Sequence, residues 1–284
     1  MPIDAAKAVA AAPRRAELVW GHKDIQLYHL GLGAGTPATD PDELRYTLES
    51  RLHVLPSFAA VAGGGMASQG GLAAPGIDVD LAKVLHGGQK VTLHRPIPVQ
   101  GKAVQEASVA AVYDKGSAAV VVLRAEAHDD DGPLWTCDSQ IFVRGEGGFG
   151  GERGSSQRQD PPDRAPDRTV DVPVREDLAQ LYRLSGDWNP LHADPEFAEL
   201  AGFDKPILHG LCTYGITLKA VVDTELGADV SRVLSYGTRF TGIVFPGETL
   251  RVRMWRSDGR VQVTVTAVER EDAAVLSDTV VEHS

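Results

Sequence analysis

The sequence predicts an α+β chain built twice over, with two antiparallel sheets each wrapped on a central helix. Three observations carry that expectation. A polar stretch over residues 145–168, with six Gly and three Pro, divides the chain. It holds too little apolar surface to offset the entropy of ordering it. Each half closes with alternating apolar and polar residues, the period of half-buried strands. Markers of the first half also return in the second. Tyr28-His29-Leu30 and Tyr182-Arg183-Leu184 are each followed, twelve residues after the Tyr, by Asp-Pro. Gln100-Gly101-Lys102 and Pro246-Gly247-Glu248 both precede long strands. The two offsets, 154 and 146, drift as a duplicated domain with small deletions would. The expected organisation is a first unit over 1–144, a mobile linker over 145–168 and a second unit over 169–284.

The elements follow in order. Residues 103–113 and 118–128 read as strands joined by the turn Asp114-Lys115-Gly116-Ser117, and 135–143 as a third. In the second half 249–256 and 260–269 pair across Ser257-Asp258-Gly259, where Gly accepts positive φ cheaply, and 273–281 is the last strand. Between the markers, residues 207–226 form a helical pattern. Leu208, Leu211, Cys212, Ile216, Leu218, Ala220 and Val222 make it apolar nearly all round, so that helix is buried on most sides. A long buried helix followed by an antiparallel meander is the hotdog arrangement, and two such units make a double hotdog.

Composition narrows the function. The chain has 284 residues, 43% of them hydrophobic, enough to bury a full core. Its formal charge of −11 excludes a dedicated nucleic-acid binder and a polybasic membrane anchor. No run of 18 apolar residues suggests a membrane span. Met1-Pro2-Ile3-Asp4 does not open like a secretory signal, so a cytoplasmic protein is expected. Cys137 and Cys212 are far apart and lack metal-ligand spacing, so no disulfide framework or zinc cluster is expected, and both are read as core residues. His22, His29, His53, His94 and His128 are read as surface or packing residues.

The densest polar cluster is YRLSGDWNPLHADPEF, residues 182–197. Ser-Gly-Asp and Asn-Pro are turn formers, so Asp187 and His192 sit on a loop that can aim both at one spot. A carboxylate beside an imidazole is an acid/base pair suited to neutral pH. Asp194 serves to cap the helix beginning near Pro195, which leaves Asp187, Asn189 and His192 for chemistry.

This segment resembles the hydratase-2 motif of MaoC-like proteins. Tyr182, Ser185, Gly186, Asp187, Asn189, Pro190, Leu191, His192 and Ala198 all fit it. The whole chain resembles the (R)-specific type-2 enoyl-CoA hydratases, including the hydratase part of peroxisomal multifunctional enzymes. The resemblance implies a double hotdog that hydrates trans-2-enoyl-CoA to (R)-3-hydroxyacyl-CoA without cofactor or metal, working as a homodimer. It implies Asp187 and His192 as the acid/base pair, with Asn189 orienting the water or the pair. Gly210 opens the buried helix, where a backbone N–H would polarise the thioester carbonyl. Phe240, before Phe245-Pro246-Gly247, would lie against the ligand, with Trp188, Pro190 and Leu191 beside it. His86, Gly87 and Lys115 match positions that line the CoA site in eukaryotic relatives, Lys115 as a phosphate partner.

The first half departs from the motif. Aligning Tyr28 with Tyr182 puts Gly33 at Asp187, Gly35 at Asn189 and Ala38 at His192, so one active site per chain is expected. The vacated volume is expected to take a long acyl tail. The helix counterpart falls near Pro56. Within the same class a 3-hydroxyacyl-ACP dehydratase is the rival, and outside it a hotdog thioesterase or a non-catalytic acyl-CoA-binding module.

Overall fold

A computed structural model describes residues 3–64, 72–80, 83–155 and 158–284. The first half runs α1 (Ala5–Val9), β1 (Arg14–Trp20), α2 (His22–Gly31), α3 (Leu44–Thr47), β2 (Val84–Leu93), β3 (Gly101–Asp114), β4 (Ala118–Asp129) and β5 (Gly132–Arg144). The second runs β6 (Arg168–Pro173), α4 (Leu178–Tyr182), α5 (Pro195–Leu200), α6 (Gly210–Glu225), β7 (Val233–Phe240), β8 (Thr249–Ser257), β9 (Arg260–Ala267) and β10 (Ala273–His283).

The strands make one antiparallel ten-stranded sheet in the order β1-β3-β4-β5-β2-β7-β10-β9-β8-β6. Read inward from either edge, each half has the same order, the pattern a duplication leaves. The halves join through β2 and β7, with Gly88 opposite Arg239 and Thr92 opposite Ser235. The two expected sheets are thus two halves of one continuous sheet.

The long helix starts three residues later than its apolar pattern. Leu208 N–H instead donates to Val244 O at 2.7 Å, so the chain becomes helical only at Gly210. α6 is buried on most sides, as its apolar periphery requires. Each fully buried aliphatic side chain there, such as Leu218 or Val221, contributes ~1.5–3 kcal/mol. Tyr214 and Tyr236 stack at 4.1 Å and donate their hydroxyls to each other's carbonyls, at 2.9 and 3.0 Å, which fastens α6 to β7. In the first half the corresponding position holds the 3-10 turn Pro56–Ala60, which packs against α6. One core runs through both halves, from Leu18, Tyr28 and Trp135 to Tyr182, Tyr214 and Val263. A smaller cluster, including Ile3, Ala8, Val121 and Ile141, lies beneath α1. Cys137 and Cys212 are both buried and free, as expected of core residues.

The described part of 145–167 is irregular, as its composition dictates, with β6 already begun at Arg168, but it is tethered rather than loose. Asp114 accepts the N–H groups of Gly116, Gly148 and Gly150 at 2.7–2.8 Å. The Gly148 N–H above all, then the others, hold its carboxyl well below the usual carboxylate range. Further along, Trp255 Nε1 donates to Arg164 O at 2.9 Å, and Gln262 Nε2 to the carbonyls of Gln159 and Asp160. Strand side chains supply the partners that this segment lacks internally.

Candidate active site

The polar loop lies between α4 and α5. After a 3-10 turn, Arg183–Ser185, Gly186 takes φ +119, a conformation open to few side chains. A Cβ there would also lie 2.8 Å from Gly64 Cα, so a first-half loop can touch the polar loop only because residue 186 is glycine. Asn189 then turns the chain. Its Oδ1 accepts from Leu191 N at 3.1 Å and caps the 3-10 turn Pro190–His192, while its own N–H donates to Asp187 Oδ1 at 3.2 Å. Asn189 therefore orients the exposed Asp187 carboxylate through the backbone. Asp194 caps α5 by accepting from Glu196 and Phe197, as expected.

His192 is 9% exposed. Its Nδ1 lies 2.8 Å from Ile207 O, and a carbonyl can only accept, so Nδ1 carries the proton and Nε2 presents a lone pair. Burial pushes its pKa down, opposed by the Ile207 carbonyl and the Asp187 charge. His192 is therefore a neutral imidazole ready to take a proton.

Two neighbours were not read from the sequence. His209, 1% exposed, lies over His192 with ring centroids 3.9 Å apart and 31° between planes. Burial first, then the nearness of His192, bring its pKa down to about 4. Arg183 lies with its guanidinium carbon 4.9 Å from the centroid of the Trp188 ring, and its charge lowers the pKa of both histidines. His209 directly precedes Gly210, the first residue of the helix. The stacking joins positions 17 apart through the fold, and no spacing signals that.

Gly210 is exposed at the first turn of α6, where its N–H has no carbonyl of its own helix to donate to. A Cβ on Gly210 would come 3.3 Å from Cδ1 and Cε1 of Phe240, so the glycine lets that ring lie close to the helix start. Phe240 meets His86 edge-on, with centroids 4.8 Å apart. His86 Nε2 lies 3.2 Å from Gln89 Oε1, and loss of water brings its pKa down to about 4 despite the Asp187 charge. Gly87 sits at the bulge where β2 shifts register against β5, between His86 and Gly88. The first half thus brings His86 to the second half's site.

The remaining expected residues lie farther out. Trp188 is 58% exposed, Pro190 is exposed, and Leu191 is half-buried, with its carbonyl accepting from Ile207 N at 3.3 Å. Lys115 lies over the Tyr113 ring and donates to Ser155 O at 3.2 Å. Beside Gly35 the chain carries a charged cluster. Glu43 accepts from Gly35 N and pairs with Lys219 at 2.6 Å, and Lys219 pairs with Asp223, which accepts from Tyr46 OH.

Asp187, His192 and His209 offer ligand atoms within 4.8 Å of one another, a spacing that a metal ion could use. The two imidazole planes are tilted 31° to each other, and one nitrogen of each ring is already engaged with a backbone carbonyl, that of Ile207 for His192 and that of Asp187 for His209.

Fold and site together define a double hotdog carrying one carboxylate–imidazole pair beside the N-terminus of its buried helix. The MaoC like domain matches residues 157–276, and the MFE-2 hydratase 2 N-terminal domain matches 19–145. The chain is 47% identical to the enoyl-CoA hydratase ChsH3 of Mycobacterium tuberculosis, over 98% of both chains. It is 43% identical to 3-hydroxyacyl-thioester dehydratase Y of the same organism, over 93% of both. A crystal structure of a MaoC-like dehydratase from Phytophthora capsici superposes with a TM-score of 0.91 at 30% identity, covering 99% of this chain and 98% of that one. The chain belongs to the MaoC-like family, in the branch that carries the hydratase 2 N-terminal domain.

Proposed function

We propose that this chain is a hydro-lyase that reversibly adds water to trans-2-enoyl-CoA, giving (R)-3-hydroxyacyl-CoA in fatty-acid metabolism. The observation that carries this reading is His192, neutral, with Nδ1–H tied to Ile207 O and a ring nitrogen within 4.8 Å of an Asp187 carboxylate oxygen. A water held by the two loses a proton to the pair as its oxygen bonds to C3. C2 takes a proton from the same pair, which therefore acts as a unit. Negative charge develops on the thioester oxygen, where the Gly210 N–H stabilises it. Phe240 and His86 flank the acyl thioester, with Trp188, Pro190 and Leu191 at the mouth. Lys115 meets a CoA phosphate. The reading uses neither cofactor nor metal.

Within this reading, 1–144 and 169–284 are two hotdog units joined by 145–168, and only the second carries the chemistry. The protein works in the cytoplasm, consistent with two buried, unpaired cysteines. No described helix is long and apolar enough to cross a membrane. It forms a homodimer, for which the exposed Leu184, Phe197 and Leu200 offer apolar surface. Light scattering tests this point.

A second reading runs the same chemistry backwards as a 3-hydroxyacyl-thioester dehydratase on CoA or ACP, and the 43% identity to the dehydratase above favours keeping it. Crotonyl-CoA distinguishes the classes. Hydration bleaches the conjugated enoyl-thioester absorbance without releasing thiol, a thioesterase releases thiol, and a binding module does neither. A parallel series on ACP carriers sets the carrier.

A further inference from the structure

His209 is buried at the start of α6 and is the residue from which the helix departs, yet its side chain makes no capping bond to that helix. Its Nε2 lies 3.2 Å from the backbone carbonyl of Asp187, so the ring donates there. The neutral ring then leaves Nδ1 as an acceptor, and that atom is buried without a partner. One face of the ring covers His192 at 3.9 Å, and Tyr182 packs at 5.0 Å.

These contacts answer two needs of the proposed chemistry. Asp187 follows Gly186, the most freely turning residue of the loop, and its carboxylate is exposed. The bond from His209 ties the Asp187 peptide group to the rigid first turn of α6. His192 is fixed at its Nδ1 edge by Ile207, and a bond at one edge leaves the ring free to tilt about it. The stacked ring of His209 removes that freedom. We propose that His209 is a positioning residue that holds the Asp187 carboxylate and His192 Nε2 in register by one hydrogen bond and one stacking contact. This rests on the hydratase reading for its kinetic consequence, but not for its geometry.

Two substitutions separate the contacts. His209→Phe keeps a stacking ring and loses the donor, whereas His209→Gln keeps an N–H donor at nearly the same reach and loses the ring. Misplacement of a reacting group by about 1 Å costs ~10²-fold. In His209→Phe, kcat for crotonyl-CoA should fall ~10–100-fold with KM changed less than ~3-fold, and His209→Gln, which keeps the donor but loses the ring, should fall less than His209→Phe yet stay below wild type. The titration of His192, followed by NMR, reads the same geometry without turnover. Asp187 and Arg183 are the charges facing that ring, with His209 stacked on it. Release of Asp187 should lower the His192 midpoint in His209→Phe and leave it near wild type in His209→Gln. A folded His209→Phe protein with wild-type kcat and an unmoved His192 midpoint would overturn the proposal. Equal losses in both variants with that midpoint unmoved would reduce His209 to packing. A wild-type protein that hydrates no enoyl thioester would remove the hydratase reading alone, and the NMR comparison would still decide the role of His209.

Discussion

Gly210 opens the buried helix of the second half, and Pro56, 154 residues earlier, opens the corresponding turn of the first half. Gly210 offers an N–H with no partner in its own helix, whereas proline has no N–H at all. The first half therefore offers no N–H at this position, and on the proposed reading it lacks the polarising donor as well as the acid/base pair. A cavity of about 170 Å³ remains at this position, lined by Pro56, His94 and Val233 among others.

Restoring side chains there should not restore activity. In a chain inactivated by Asp187→Asn and His192→Gln, adding Gly33→Asp and Ala38→His should rescue no hydration of crotonyl-CoA. Gly33 sits at φ +84, Ala38 is exposed, and Pro56 donates nothing. Turnover well above that of the inactivated parent would show that the first half still holds a competent site.

The pH dependence of activity should reflect a buried base. Burial lowers the pKa of His192, so kcat/KM should stay on its plateau below the ordinary histidine value near 6.5 and fall only at lower pH. An acidic limb with its midpoint above 6.5 would contradict this.

Stability should follow the same logic with a worked sign. His29, His86 and His209 are each brought down to about 4 in the folded chain, chiefly by burial. Between pH 6.5 and 4 the unfolded chain binds more protons than the folded one, so stability is full above 6.5 and is lost as pH falls through that window. His29 is the firmest case. Its Nδ1 faces Tyr46 O at 2.9 Å and its Nε2 accepts from Leu55 N at 3.3 Å, so an added proton would meet an N–H. Thermal unfolding across this window should show a falling Tm, and a flat profile would contradict the assignment.

Lys115→Ala should weaken CoA thioesters more than pantetheine thioesters, by ~2–5-fold, the size of an exposed ion pair. The difference should shrink with salt. Equal effects on both substrates would leave Lys115 to the β3–β4 turn, where it contacts Tyr113 and Ser155.

The parts of the fold with strong periodicity were legible. β9 alternates buried and half-buried residues along its length, and α6 is apolar on nearly every face. β2 was not legible, because a Gly87-Gly88 bulge and the polar His86, Gln89 and Lys90 break its alternation. It is nonetheless one of the two strands that join the halves. The closeness of Asp187 and His192 was legible because they lie five apart on one loop. His209 and Arg183 were not, since their roles arise from stacking and charge across elements. The linker looked loose because its tethers are side chains of distant strands, such as Asp114 and Gln262.

The most direct measurement is crotonyl-CoA turnover by the wild type, Asp187→Asn, His192→Gln and the double variant, with folding checked by circular dichroism. Each single variant should lose ~10²–10⁴-fold in kcat, the size of general acid–base help. The double variant should lose little more than the worse single one, because groups acting as a unit are not additive. Near-wild-type hydration by either folded single variant, or thiol release in place of hydration, would contradict the account.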